Sequence, residues 1–127
     1  MRVALYQCPP RPLDVAGNLQ RLHQVAMEAT DADLLVLPEM FLSGYNIGLE
    51  AVGALAEAQD GPSAQRIAAI AQAAGTAILY GYPERSDDGQ IYNAVQLIDA
   101  QGQRLCNYRK THLCLLYTSP SPRDRQK

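Results

Sequence analysis

Apolar residues occur along this chain in short runs, set between stretches with helical spacing. Residues 2–7 (RVALYQ) are apolar in the middle and are closed off by Pro9, Pro10 and Pro12. Proline cannot donate to a sheet ladder, so the run predicts a strand that stops there. In NLQRLHQVAMEA, Leu19, Leu22, Ala26 and Ala29 recur at helical intervals, and Gln20, Arg21, His23 and Gln24 face the other way. That is the pattern of an amphipathic helix over 16–30. Residues 33–38 (DLLVLP) set four apolar side chains in succession, as in a strand covered on both faces. Strand, helix, strand predicts a right-handed βαβ crossover.

The Ala-rich segment 49–58 predicts a helix broken by Asp60-Gly61-Pro62. Pro62 suits the first turn of another helix. In that helix Ile67, Ile70, Ala71 and Ala74 form the buried stripe, and Gly75 can end it. Residues 77–82 (AILYGY) read as a third strand, followed by a turn at Asp87-Asp88-Gly89. Residues 92–99 (YNAVQLID) alternate as a half-buried strand does. Gln101-Gly102 then turns the chain into a fifth strand, 104–108. The last three strands predict an antiparallel meander, giving an α/β fold. After Leu113 the periodicity stops. Residues 114–127 (CLLYTSPSPRDRQK) hold Pro120 and Pro122 and set Arg123, Arg125 and Lys127 against Asp124 alone.

Composition narrows the function. The 127 residues suit one domain. A net charge of −2 with 19% charged residues argues against nucleic-acid and membrane-surface binding. At 47% hydrophobic the chain is globular by composition. No apolar run approaches the roughly 20 residues of a membrane span. Arg2 precedes only a short apolar run, so no signal peptide is expected. Three cysteines without disulfide or zinc spacing point to a reducing cytoplasm.

The densest chemistry lies in PEMFLSGYNIG (38–48), where the second strand stops and a carboxylate, aromatics and glycines crowd together. Strand ends are where α/β proteins place their chemistry. Taken alone, Glu39 fits a helix-start or surface carboxylate as well as a general base. Lys110 beside Arg109 fits a solvated basic pair as well as an oxyanion-binding cation. Tyr45 could line a substrate pocket or serve as a core aromatic. His23 has no Cys, Asp or second His at ligand spacing and reads as a solvated helix residue. His112 reads as structural, Cys8 and Cys106 as small packing residues.

Four segments carry a resemblance: PEMFLSGYNIG (38–48), YGYPER (80–85), IYNAVQLID (91–99) and YRKTHL (108–113). Together they resemble the N-terminal part of the nitrilase superfamily of carbon–nitrogen hydrolases. RVALYQ and MFLSGYNIG resemble its aliphatic amidases. PE-x-F followed by GY, with YRK-x-HL far downstream, is a specific pairing. The resemblance implies part of an α-β-β-α sandwich over residues 1–113 and a Glu–Lys–Cys catalytic set. By motif, Glu39 is the base and Lys110 the cation. It further implies no cofactor, homo-oligomers of the full-length protein, and hydrolysis of a small linear aliphatic amide, of the 5-aminopentanamide kind met in lysine degradation, through a cysteine thioester. Nitrilases and N-carbamoyl amide hydrolases share this set. The family's nucleophile motif, Cys followed by Tyr or Trp and an acidic or small residue, does not occur in the 127 residues. The chain by itself is therefore expected to be inactive, and a non-catalytic folding or interaction module is the competing reading. The segment CLLYTSPSPRD resembles translated sequencing-library adapter, so 114–127 is expected to be a non-native, disordered tail.

Overall fold

The stripe Leu19, Leu22 and Ala26 is buried, and so are Ile67, Ile70, Ala71 and Ala74. These residues lie on α1 (Val15–Glu28) and α3 (Pro62–Ala74), which pack on one face of a five-stranded sheet. The computed structural model describes residues 1–7, 9–44 and 47–113. In it the sheet runs β1 (Val3–Leu5), β2 (Leu34–Val36), β3 (Ala77–Arg85), β4 (Ile91–Ile98) and β5 (Arg104–Leu113), in that spatial order. β1, β2 and β3 pair in parallel, while β4 and β5 continue antiparallel. A short helix, α2 (Leu49–Leu55), precedes α3. The expected βαβ opening and meander are both present.

The register explains the core. Leu35 pairs with Ile78, and Ile78 with Ile98. Alternation then sends Tyr80, Tyr82 and Ala94 to the same face, against Leu22 and Ile67. The helices begin and end where their caps dictate. The Asp14 carboxylate accepts from the Gly17 N–H at 3.0 Å to start α1. Glu57 accepts from the Ser63 N–H at 2.8 Å and from its hydroxyl at 2.5 Å at the start of α3. Gly75, left-handed at φ 69°, ends α3.

The opposite face of the sheet carries Val3, Leu5 and Tyr108, each more than half exposed. No described helix is long and apolar enough to cross a membrane.

Three expectations are corrected. β5 continues to Leu113 instead of stopping at Tyr108, so Lys110 stands within a strand and not beyond one. The full strand is hard to see in the sequence because its side chains are largely exposed and two register shifts interrupt its pairing with β4. Ladder hydrogen bonds, not burial, hold it in place. Cys106 is exposed, not packed. Ala29 caps α1 and is only partly buried, so it closes the helix and adds little to its stripe. The readings placed on Cys8, Tyr45 and the segment 114–127 lie outside the described residues.

Candidate active site

After β2 the chain still rides on β3, with the Leu37 N–H donating to the Leu79 carbonyl at 2.9 Å. It then turns sharply. Met40 adopts φ 53°, a left-handed conformation uncommon for a residue with a side chain. The Gly44 N–H closes the turn on the Met40 carbonyl at 2.9 Å. Phe41 and Leu42 are buried in the main core, while Met40 packs with Val52 and Ile91 in a smaller one. Buried Asn18 of α1 ties the turn down, its Nδ2 donating to the Leu42 carbonyl at 3.1 Å and the Arg11 carbonyl at 2.9 Å. With its neighbours plugged into two cores, Glu39 is left to project toward the sheet face opposite the helices.

Gly81 makes this geometry possible. A Cβ there would stand 2.5 Å from the Met40 nitrogen and 2.9 Å from the Glu39 Cα. The backbone of the turn lies directly on β3, and only glycine admits that approach.

Lys110 reaches the same place from β5. Asn93 pairs with Thr111 and Ala94 with Arg109, so the register skips Lys110. This is a β-bulge, a device that bends a strand and re-aims a side chain. Lys110 Nζ lies 3.1 Å from Glu39 Oε2. Asn93 Nδ2 donates to that same oxygen at 2.5 Å. Burial pushes the Glu39 carboxyl up, but the hydrogen bond from Asn93 and the hydrogen bond and charge of Lys110 outweigh it. The group ends below its ordinary value and is ionised at neutral pH. Around the trio lies an open depression of about 360 Å³ with Val36, Leu79, Val95 and Tyr108 among its walls. A carboxylate, an ammonium and an amide thus converge in an apolar setting, where charge interactions are stronger than in water.

The neighbour of Lys110 is anchored on the helix side. Arg109 meets Glu84 in a two-pronged pair, Nε to Oε1 at 3.0 Å and Nη2 to Oε2 at 2.8 Å. Asn107 Nδ2 also donates to Glu84 Oε1 at 2.8 Å, and the Tyr82 hydroxyl donates to Asn107 Oδ1 at 2.5 Å. Arg109 also lies 4.4 Å over the Tyr92 ring. Burial raises the fully buried Glu84 carboxyl, yet the hydrogen bonds from Arg109 and Asn107, with the Arg109 charge, bring it below its ordinary value.

The two residues singled out in the sequence for base and cation, Glu39 and Lys110, are therefore in contact. Cys106 is not among the residues lining the depression. His112 Nε2 sits 2.5 Å from Gln90 Oε1, with its ring beside Tyr92. Among the described residues no group of three His, Cys, Asp or Glu is placed to hold a metal. Sequence reasoning missed Asn93, Glu84 and Arg109. A signal for Glu84 exists: it follows Tyr80 and Tyr82 at strand spacing, and a carboxylate at an inward strand position needs a partner.

Comparison with known proteins fits this layout. The Carbon-nitrogen hydrolase family profile matches residues 2–126, and the chain belongs to that family. The nitrilase-superfamily resemblance of its motifs is thereby borne out. The chain is 99% identical over 113 residues to a protein of Pseudomonas protegens named "Hydrolase in pqqF 5'region", a match covering 89% of this chain and 40% of that protein. It is 37% identical to an (R)-stereoselective amidase of a Pseudomonas species, over 98% of this chain and 45% of the amidase. Among solved structures, an N-terminal amidase with an Asn-Glu peptide superposes with a TM-score of 0.77 at 26% identity, over 90% of this chain and 28% of that one. The chain thus spans less than half the length of each of these proteins.

Proposed function

We propose that residues 1–113 supply the general base, Glu39, and the oxyanion-binding cation, Lys110, of an amidase-type carbon–nitrogen hydrolase. Its substrate in this reading is a small linear aliphatic amide of the 5-aminopentanamide kind. The observation that carries the reading is the contact between Glu39 and Lys110 at 3.1 Å, made between the turn after β2 and strand β5 in an apolar-walled depression. An exposed ion pair contributes little to stability, so two cores, a left-handed Met40 and a bulge converging on one such pair are better explained by chemistry.

Amide hydrolysis needs a nucleophile, a proton acceptor for it and positive charge at the developing oxyanion. Here the nucleophile is a cysteine thiol supplied from outside these 127 residues. Its proton passes to Glu39 as sulfur bonds to the amide carbon. The Lys110 ammonium faces the oxygen that takes up the electron pair. As the C–N bond breaks, Glu39 returns the proton to nitrogen and ammonia leaves, with a thioester remaining. Water then adds to the thioester and gives a proton to Glu39; as the C–S bond breaks Glu39 returns that proton to sulfur, and the freed acid loses its own proton to solvent to leave as the carboxylate. Tyr45 is read as a substrate contact. Cysteine usage favours the cytoplasm.

We also read 114–127 as non-native. The 113-residue span of near-identity to the Pseudomonas protegens hydrolase supports this, although the family profile extends to residue 126.

The test joins residues 1–113 to the remaining length of that hydrolase and measures ammonia release from 5-aminopentanamide, an aliphatic nitrile and an N-carbamoyl amide. The expected result is turnover of the amide, lost in Glu39→Gln. Preference for the nitrile or the carbamoyl compound would move the substrate class. Absence of turnover on all three would favour a non-catalytic module.

A further inference from the structure

Glu39 has two carboxylate oxygens, and the structure treats them unequally. Oε2 accepts from Asn93 Nδ2 at 2.5 Å and from Lys110 Nζ at 3.1 Å. Among the described residues no hydrogen bond reaches Oε1. We infer that Asn93 is a positioning residue that holds Glu39 by Oε2 and presents Oε1 as the oxygen that receives the proton.

The two donors differ in kind. Lys110 carries its ammonium on a flexible stem, and its side chain is 44% exposed. If it turns toward a substrate oxygen, its hold on Glu39 weakens. Asn93 is only 9% exposed and sits within β4, between two neighbouring strands, paired on one side with Pro83 and on the other with Thr111. Its amide is neutral, short and fixed by the strand. It can therefore keep the carboxylate aimed throughout the reaction, while the lysine is shared with the substrate. Two donors on Oε2 also stabilise negative charge there, which leaves Oε1 as the site for an incoming proton.

The other end of the same amide supports this assignment. Asn93 Oδ1 is buried and has no hydrogen-bond partner among the described residues. A buried orphan acceptor is a cost, and native structures keep few of them. Flipping the amide would set that oxygen against the Glu39 carboxylate, two acceptors with no proton between them. The orphan is tolerated because the NH₂ end is required at Glu39. A residue present only for packing at this position could be apolar and would carry no such cost.

The inference rests on Glu39 being the base, and its first test does not need catalysis. The 127-residue chain is labelled with ¹³C at glutamate carboxyls, and Glu39 is assigned from the signal missing in Glu39→Gln. Its titration is then followed by NMR, and circular dichroism reports folding. Lys110 is the other charged group bonded to Glu39 among the described residues, so it is left in place in every variant. Asn93→Ala is expected to weaken Glu39 ionisation about tenfold, moving the midpoint up by about one pH unit. If that variant does not fold, near-isosteric Asn93→Asp replaces the donor with an acceptor and must move the midpoint the same way. An unmoved midpoint in a folded variant overturns the inference.

The second test uses the joined enzyme. Asn93→Ala should lower kcat about tenfold or more with KM little changed, and the acid limb of its pH–rate profile should move to higher pH. A loss confined to KM would overturn the inference. Turnover that survives Glu39→Gln would instead overturn the proposed function, while the NMR result on Asn93 would still stand.

Discussion

Gly81 and Glu39 share one space: a Cβ on the first would lie 2.9 Å from the Cα of the second and 2.5 Å from the next backbone nitrogen. Backbone on both sides leaves nothing flexible to yield. Gly81→Ala should push the Glu39–Met40 turn off β3 and weaken the Leu42 N–H bond to the Gly81 carbonyl, now 3.2 Å. Overpacking of this kind costs about 1–3 kcal/mol. We expect a lower melting temperature together with a shifted Glu39 carboxyl resonance. A stable Gly81→Ala chain with an unmoved Glu39 signal would show that the turn is not held by this approach.

Glu84 gives a pH prediction with a definite sign. Its carboxyl titrates below the ordinary 4.5 in the folded protein, because the Arg109 and Asn107 hydrogen bonds outweigh its burial. A carboxylate lowered on folding stabilises the fold fully above its unfolded value. That contribution is lost as pH falls through the lowered folded value. Acid unfolding below about pH 4.5 should therefore be steeper in the parent chain than in Glu84→Gln. The variant leaves Arg109 without its anionic partner and should be less stable than the parent at neutral pH. Urea denaturation at pH 7 and pH 3 measures both effects, and equal destabilisation at the two pH values would contradict the role of the ion pair.

Much of the fold is legible in the order of residues. The period of 3.6 in α1 and α3 and the apolar runs of β2 and β3 follow from burial, and burial is written in residue type. β5 reads short because its order comes from ladder bonds to β4, which leave no hydrophobic mark, and because bulges break its alternation. Glu39 and Lys110 stand out through their motifs. Their contact is not legible, since it depends on a left-handed Met40 and on a register skip at Lys110. Asn93 is hidden for another reason. In YNAVQLID it occupies a position that alternation alone would give to any residue, and only the arrival of Glu39 from a distant loop makes its amide matter.

The tail yields a prediction at the level of the gene. If CLLYTSPSPRD is adapter-derived, independent reads of the source locus should depart from this sequence just past codon 113 and continue into family sequence with a Cys-Tyr or Cys-Trp motif. Genomic reads that reproduce the segment in frame would make residues 114–127 a native part of the protein.

Lys110 separates chemistry from architecture most cleanly. Its pair with Glu39 is partly exposed, with side chains 44% and 37% accessible. Exposed pairs typically contribute about 0–1 kcal/mol, so Lys110→Met should barely change the melting temperature of the 127-residue chain. The effect on Glu39 should be plain. Losing a hydrogen bond and a positive charge removes two of the three influences that hold its carboxyl down, and burial, which pushes it up, remains. Its midpoint should therefore rise in NMR titration. In the joined enzyme the same substitution removes the cation facing the oxyanion, and turnover should fall about 10²–10³-fold. Lys110→Arg tests geometry, since it keeps the charge but replaces a compact ammonium with a planar fork. We expect it to leave Glu39 ionised yet recover little turnover. Full activity in Lys110→Met would remove the lysine from the reaction and leave it as a surface partner of Glu39.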